Sequence, residues 1–437
     1  MAVLIKNVQL FDGRQLHKSK DILIENEKIV AIEDKIDERL VENAIEDNYQ
    51  DIVKINAAGK LLTPGFIDMH VHLREPGFEY KETIETGSKA AAKGGFTTIA
   101  CMPNTKPVTD SKEIVEYIYE KANVNNGVKV YPIGAITIGE KGQELTNFQE
   151  LKDAGIIALS DDGRGVQNAK LMQEAFNNAK SLEIPIIIHA EDDSLAASGH
   201  LHDGQKAKEL NIKGIPSTSE SIMVARDILL AESAKAHVHF AHLSAKESVD
   251  WIEVAKAKGI HVTCEVTPQH LVMCDEDILE DHGNYKVNPP IRSNEDQNAL
   301  IDALNKGVID IIATDHAPHS DDEKNSGIEK SYFGMTGLET AFAVLYTKLV
   351  LTGKISLERV LESLTSKPAE IFNINRGHIF VGSVADMVLI DLNDKKVVEV
   401  DKFESKGKNS PFINWDLHGW PVLTMVAGKV IYKDERV

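Results

Sequence analysis

Cysteine is scarce in this sequence: 437 residues include only Cys101, Cys264 and Cys274, and no two of them have CxxC spacing. So few thiols, in an odd number, exclude a scaffold held together by disulfides and favour a reducing compartment such as the cytoplasm. No run of about twenty apolar residues is present, so we expect no membrane-spanning helix. The first residues, MAVLIKNVQLFDG, lack the pattern of a secretory signal peptide.

Basic residues are also few. The 48 lysines and arginines stand against 68 aspartates and glutamates, which gives a formal net charge of −20 at pH 7. This balance argues against a general affinity for nucleic acid or for an anionic membrane. A site for an anionic substrate would therefore need its own local positive charge. The residue type present in unusual number is histidine, with 16 copies.

The pattern of the sequence divides the chain into two parts. Residues 61–376 alternate apolar strands with amphipathic helices, whereas residues 1–60 and 377–437 are rich in strand patterns and turn signals. We expect the two chain ends to form one small β-sandwich-like domain beside a larger domain. The segment 37–51 carries six acids against one base, and we interpret it as a solvated loop.

Eight apolar runs in the central part have the character of buried parallel strands, because they are near-continuous rather than alternating. They are LLTPGFIDMHVH, TTIACMPN, VKVYPIGAI, GIIALSDD, IPIIIHAE, HVHFAHLS, GIHVTCEVTPQH and IDIIATDHAPH. Helical patterns lie between most of them, and Ser217 and Glu220 have the spacing of a capping box at one helix start. Eight such units predict an α/β fold of the (β/α)8, or TIM barrel, type.

Polar residues gather at the C-terminal ends of these strands, where the active sites of such barrels lie. His70 and His72 are two residues apart on a strand, so their imidazoles point the same way. The strand-end residues that could bind a metal are His70, His72, Asp162, His189, His242 and Asp315. Imidazoles and carboxylates suit Zn²⁺ and similar ions, and six such residues indicate two ions that share one carboxylate.

The other histidines have plainer interpretations. A lone histidine on a strand is more often a hydrogen-bonded core or surface residue than a metal ligand. We interpret His237 and His239 as structural, because they lie earlier on the strand that ends at His242. The same interpretation applies to His200, His202, His261, His282 and His418.

Two segments around the proposed ligands, PGFIDMHVHLREPG and ATDHAPH, resemble the two signatures of dihydroorotases within the cyclic amidohydrolases. The tail GHIFVGSVADMVLIDL is also similar, so the resemblance spans essentially the whole chain, and it is to the bacterial long-chain (type I) group. It implies a metal-dependent hydrolase with two zinc ions per subunit. The implied reaction is the reversible conversion of dihydroorotate, a small anion, to N-carbamoyl-L-aspartate in de novo pyrimidine biosynthesis.

The resemblance also implies roles for individual residues. By the family's pattern, His70, His72 and Asp315 hold one metal, while His189 and His242 hold the other and Asp162 bridges the two. Many members of the wider superfamily bridge their metals with a carboxylated lysine, but GIIALSDDGR contains no lysine. Asp161, the neighbour of Asp162, stays open as the alternative bridge.

The substrate side is implied in the same way. The expected substrate contacts are His72, Arg74, Asn104, Asn288, His319, Phe333 and Gly334. Arg74 is expected to hold the substrate carboxylate through a forked pair of hydrogen bonds. Asp315 is expected to be catalytic, as general base in hydrolysis and general acid in cyclisation.

Two other interpretations of function stay open. Another cyclic amidohydrolase, such as a hydantoinase, dihydropyrimidinase or allantoinase, would share the fold and the metal ligands without the same need for a carboxylate clamp. A non-catalytic structural homologue would have lost metal ligands, and this sequence retains all of them. The sequence also leaves open a homodimer and an association with aspartate transcarbamoylase.

Overall fold

The computed structural model describes residues 2–37, 52–57, 59–124 and 127–435. In chain order its strands are β1 Ala2–Phe11, β2 Leu16–Glu25, β3 Lys28–Glu33, β4 Ile52–Asn56, β5 Leu61–Pro64, β6 Phe66–Val71, β7 Phe96–Cys101, β8 Lys129–Pro132, β9 Gly134–Ala135, β10 Leu159–Ser160, β11 Ile186–Ile188, β12 Leu201–His202, β13 Gly214–Ile215, β14 Val238–Phe240, β15 Val262–Val266, β16 Ile311–Ile312, β17 Met387–Val397, β18 Asp416–Val426 and β19 Lys429–Lys433. The interpretation of residues 37–51 as a loop falls outside the described residues, apart from Asp37.

Strands from both chain ends form one eight-stranded sheet. Its order is β19-β18-β17-β5-β1-β2-β3, with β4 also paired to β1. The core of this unit consists of apolar side chains from both ends, such as Val3, Ile5, Met387 and Leu389. The sheet includes β5, so it reaches Pro64, and the division at residues 60/61 and 376/377 stays a prediction.

The central part is the predicted barrel of parallel strands, with β8 and β9 together as its third strand. Strands β6, β7 and β8 form one run, and β9, β10, β11, β14, β15 and β16 form the other. Parallel pairing of Val71 with His316 closes the ring between the first and eighth strands. The N–H of His72 also donates to the carbonyl oxygen of His316, at 2.8 Å.

Helices cover the outside of the barrel. Over the described residues they are Ile84–Lys93, Lys112–Val124, Phe148–Ala154, Ala169–Ser181, Asp193–Ala196, Gln205–Leu210, Thr218–Ala234, Lys246–Ala257, Pro268–Val272, Asn294–Lys306, Asp321–Lys324, Ala341–Leu345, Leu357–Leu364 and Ser366–Ile371. Helix Asn294–Lys306 shows how the sequence sets such bounds: Ser293 and Asp296 form a capping box, and Gly307 ends the helix with a φ of 75°. None of the described helices has the length and apolar character needed to cross a membrane.

The capping box predicted at Ser217 is wrong. Ser217 precedes the helix Thr218–Ala234, but its side chain makes no capping hydrogen bond. The buried Glu220 carboxylate instead accepts hydrogen bonds from the Ser244 hydroxyl and the Ala245 N–H and lies 3.6 Å from the Arg292 guanidinium. Its pairing with a distant arginine replaces the local capping interaction.

Candidate active site

The first pair of site residues is positioned by β6 and by the strand that closes the barrel. The buried Asp68 carboxylate accepts hydrogen bonds from the His70 N–H at 3.1 Å and from the Thr314 hydroxyl at 2.6 Å. This carboxylate therefore ties the first strand to the eighth directly below the rim. Its burial raises the pKa of Asp68 to about 7.

The six strand-end residues lie together at the rim, and all of them are buried. Asp162 is at their centre: its Oδ1 lies 3.4 Å from His70 Nε2, and its Oδ2 lies 3.5 Å from His72 Nε2. Asp315 Oδ1 is 3.0 Å from His72 Nε2 and 3.6 Å from His70 Nε2. These four side chains therefore direct their ligand atoms at a common point.

A second group of ligand atoms shares Asp162. His189 Nδ1 lies 2.9 Å from His242 Nε2, and Asp162 Oδ1 lies 3.6 Å from the first nitrogen and 3.7 Å from the second. His242 and Asp315 have positive φ values of 29° and 48°. Residues other than glycine rarely adopt a positive φ unless the surrounding structure imposes it, and such residues cluster at active sites.

The chemistry of these donors fits divalent cations. His70, His72 and Asp162 form one group that could hold an ion, and Asp162, His189 and His242 form another. His70 Nε2 and Asp162 Oδ1 are buried polar atoms without a hydrogen-bond partner, which is costly unless something else binds them. Burial would raise the pKa of Asp162, but the charge of His70 and the close imidazoles of His189 and His242 hold it well below its usual range. An ionised carboxylate shared by two sets of imidazoles is a suitable bridge between metals.

Asp161 faces a different environment. Its Oδ1 accepts hydrogen bonds from the N–H groups of Ile136 at 2.8 Å and Thr137 at 3.0 Å, and its Oδ2 accepts one from the Thr137 hydroxyl. These donors occupy both oxygens of Asp161, whereas Asp162 faces the imidazoles. The geometry therefore favours Asp162 as the shared ligand.

A cavity of about 130 Å³ opens above the ligand atoms. It is lined by His72, Arg74, Asn104, Asp162, Gly163, His189, His242, Asn288, Asp315, Ala317, Phe333 and Gly334. Of the predicted site residues, His70 and His319 lie outside this lining. His70 sits beneath the other ligands, and His319 lies behind Arg74, with its Nε2 3.3 Å from the Arg74 Nη2.

Arg74 is a positive charge at the cavity wall without an acidic partner. Its Nε donates to the carbonyl oxygen of Pro318 at 3.2 Å. Among the described residues, no carboxylate lies within 4 Å of its guanidinium nitrogens. Burial lowers the pKa of Arg74. A partly buried guanidinium that has no carboxylate beside it among the described residues can form charge-assisted hydrogen bonds with the carboxylate of a ligand.

The other expected substrate contacts surround the same cavity. Asn104 accepts a hydrogen bond from His72 Nδ1 at 2.8 Å, and the Asn288 amide lies 3.3 Å from His189 Nε2. His319 Nε2 donates to the carbonyl oxygen of Phe333 at 2.8 Å. Burial and the charge of Arg74 lower the pKa of His319 strongly, so its imidazole is neutral.

Two further residues, Glu265 and Lys324, support the site and were not predicted from the sequence. Glu265 accepts a hydrogen bond from His70 Nδ1 at 2.7 Å and is fully buried. Lys324 is also buried, and its ammonium donates to the carbonyl oxygens of Lys286, Tyr332 and Gly334. A carboxylate inside the apolar run VTCEV was the signal that could have identified Glu265, because charges are rarely buried without a partner. Lys324 lies in a charged segment, DDEK, that gave no such signal.

Comparisons with known proteins identify relatives that match the whole chain or most of it. A family model described as "Dihydro-orotase-like" matches residues 59–248. Dihydroorotases from Geobacillus kaustophilus and Bacillus caldolyticus are each 49% identical over 436 residues, which cover 100% of both chains. The dihydroorotase of Brevibacillus brevis is 53% identical over 382 residues, 87% of this chain and 90% of the relative.

Solved structures show the same architecture. The L-hydantoinase (dihydropyrimidinase) from Arthrobacter aurescens superposes with a TM-score of 0.86 at 28% identity, over 99% of this chain and 96% of the other. The dihydropyrimidinase from Brevibacillus agri superposes with a TM-score of 0.84 at 25% identity, over 100% and 96%. The TIM-barrel fold is thereby confirmed, with a sheet from both termini beside the barrel.

Proposed function

Because the chain belongs to the dihydroorotase family of cyclic amidohydrolases, we propose that the cavity at the barrel rim binds dihydroorotate and N-carbamoyl-L-aspartate and interconverts them. The protein is a hydrolase, and its activity is that of a dihydroorotase, a step of de novo pyrimidine biosynthesis. The roles of individual residues in this reaction are part of the proposal.

One observation supports a substrate that carries a carboxylate. Arg74 faces the cavity with its guanidinium unpaired by any described acid, while its backbone adopts a φ of 62°. A neutral cyclic amide would leave this charge poorly solvated when it filled the cavity, at a cost of roughly 1–3 kcal/mol or more. The carboxylate of dihydroorotate would instead pair with it.

The metal ligands are part of the same proposal. His70, His72 and Asp315 would hold one Zn²⁺, and His189 and His242 would hold a second, with Asp162 shared. The unpartnered atoms His70 Nε2 and Asp162 Oδ1 support this assignment. When bound, the two ions would polarise the ring amide carbonyl and lower the pKa of the attacking water.

The remaining steps belong to the chain's own residues. Asp315 would take the proton of the attacking water in hydrolysis and pass it to the leaving ring nitrogen, and it would return the proton in cyclisation. Arg74 would bind the substrate carboxylate together with Asn104 and His319. His72, Asn288 and the backbone of Phe333 and Gly334 would complete the substrate contacts around the cavity.

The test is a comparison of substrates. Purified zinc-loaded protein is supplied with dihydroorotate, hydantoin, dihydrouracil and allantoin, with the double variant His70→Ala, His72→Ala as the matched control. We expect dihydroorotate to be hydrolysed far faster than the other three and the control to be inactive. Faster turnover of hydantoin or dihydrouracil would favour the hydantoinase alternative, which the structural likeness makes the second candidate. Full metal content without any turnover would favour a non-catalytic homologue.

The same proposal includes location and assembly. We expect the protein to act in the cytoplasm, because the cysteines are free and buried. On the basis of the family resemblance, the proposal includes two assemblies, a homodimer and a complex with aspartate transcarbamoylase. The mass in solution, measured with and without that enzyme, tests both.

A further inference from the structure

A column of hydrogen bonds runs from the metal-ligand candidate His70 away from the cavity. His70 Nδ1 lies 2.7 Å from Glu265 Oε1, and Glu265 Oε2 lies 3.1 Å from His239 Nε2. His239 Nδ1 lies 2.8 Å from the Thr263 hydroxyl, which in turn lies 2.8 Å from His237 Nε2. The column therefore links the rim to the opposite end of strands β14 and β15.

The direction of every hydrogen bond follows from its first member. If His70 Nε2 offers its lone pair to a cation, the proton is on Nδ1 and is donated to Glu265. A carboxylate only accepts, so His239 must donate from Nε2. If its remaining proton is on Nε2 alone, His239 accepts at Nδ1 from the Thr263 hydroxyl.

The far end of the column is consistent with this order. The Thr263 oxygen, which donates to His239, can accept from His237 Nε2–H. Burial, with the neighbouring imidazoles of His261 and His239, lowers the pKa of His237 to about 3, so His237 is neutral and its Nε2 can carry the proton that Thr263 accepts. His237 stacks on His261 with ring centroids 4.0 Å apart, which holds it in place.

The surroundings leave Glu265 no other arrangement. It is fully buried, and its Oε1 also accepts from the His242 N–H at 3.3 Å. The edge of the His239 ring packs against Phe372, with centroids 5.1 Å apart. The His237 and His239 rings are therefore held by packing as well as by their hydrogen bonds.

We propose that Glu265, His239 and Thr263 are positioning residues that fix the His70 imidazole with Nδ1 protonated and Nε2 turned to the first metal site. This inference rests on the proposed metal site. Carboxylates that orient a metal-bound histidine in this way typically contribute 10–100-fold to metal affinity. Here the support extends two further residues, to a hydroxyl that touches neither the ligands nor the cavity.

The test uses Thr263→Val, which keeps the shape of the side chain but removes the hydroxyl, and Thr263→Ser as its matched control. Metal affinity is measured by chelator competition, and the ligand geometry is measured by the absorption spectrum of Co²⁺-loaded protein. We expect Thr263→Val to bind one of two ions about fivefold more weakly, the effect of a single hydrogen bond, and to alter the Co²⁺ spectrum. Thr263→Ser should restore both.

Glu265→Gln is the stronger perturbation. A glutamine offers one oxygen and one NH2 group, so it can accept from only one of His70 Nδ1–H and His239 Nε2–H, and the other donor then faces an NH2 group. We expect a 10–100-fold loss of affinity for one ion, a lower kcat and an unchanged KM, because the column does not contact the cavity. Should this variant fail to fold, the Thr263 pair alone decides the question.

Two outcomes separate this inference from the metal proposal. If His70→Ala keeps its full metal content, the proposed metal site is refuted, and the proposed role of the column in positioning a metal ligand is refuted with it. If His70→Ala loses metal but Thr263→Val binds both ions with wild-type affinity and an unchanged Co²⁺ spectrum, the column alone is refuted.

Discussion

Replacing Arg74 separates substrate recognition from support of the site. Arg74→Met removes the guanidinium but keeps a side chain of similar length, and both residues accept the same positive φ equally poorly. Truncating one partner of a hydrogen-bonded charge pair costs about 2–5 kcal/mol. Arg74 is only partly buried, and Asn104 would still line the cavity. The lower part of this range, about 2–3 kcal/mol, therefore applies and corresponds to roughly a 30- to 150-fold loss in kcat/KM.

The assay compares two rings that differ in one group. Dihydroorotate carries the carboxylate and dihydrouracil does not, so the loss should appear with the first compound and be small with the second. Arg74→Lys should recover part of the activity, because an ammonium keeps the charge without the planar fork. Metal content should equal that of the wild type in both variants. An equal loss with both compounds would refute the reasoning and would mean that Arg74 supports the site's structure through Pro318.

Three further predictions follow from the described contacts. Asp162→Asn should lower the metal stoichiometry, whereas Asp161→Asn should keep the metal and lower the melting temperature; elemental analysis and thermal unfolding of both variants would expose a reversed order. Burial would raise the pKa of Asp315, but the hydrogen bond with His72 and nearby imidazole charges lower it overall, so Asp315 is ionised at neutral pH. Hydrolysis needs the ionised form of Asp315 and cyclisation needs its protonated form, so the hydrolysis rate should rise and the cyclisation rate should fall over the same acid pH range in which Asp315 ionises. Parallel pH profiles of the two initial rates would contradict its role. Burial lowers the pKa of Lys324 to about 7 from 10.5. Between pH values of about 7 and 10.5, the unfolded chain therefore binds more protons than the folded chain. Raising the pH over this range should increase the free energy of unfolding of the wild type relative to that of Lys324→Met, measured in urea. An equal pH dependence of the two free energies would disprove the lowered pKa.

The barrel, and the meeting of the six candidate ligands at its rim, could be predicted from the sequence because both depend on local patterns. The barrel strands are short apolar runs, and a candidate ligand lies near the end of several of them, as His189 does directly after β11. Parallel strands place all such residues on one rim, so residues as distant as His70 and Asp315 could be expected to meet.

What could not be predicted depends on pairing between distant segments. Nothing near Glu220 indicates that it pairs with Arg292 rather than with its own helix start. The choice between Asp161 and Asp162 depends on which oxygens the N–H groups of Ile136 and Thr137 reach. The extent of the terminal sheet depends on β17, which lies more than 300 residues after β5 and pairs with it.

That pairing has a consequence for biosynthesis. Strand β5 precedes β6 by a single residue, and its register partner Met387 is made after every barrel strand has left the ribosome. When the barrel strands have been made, β5 has its parallel partner β1 but not yet its antiparallel partner β17. A chain terminated prematurely at residue 376 would contain every barrel strand but would lack β17, β18 and β19. The sheet next to the first barrel strand is therefore completed only when synthesis reaches the tail.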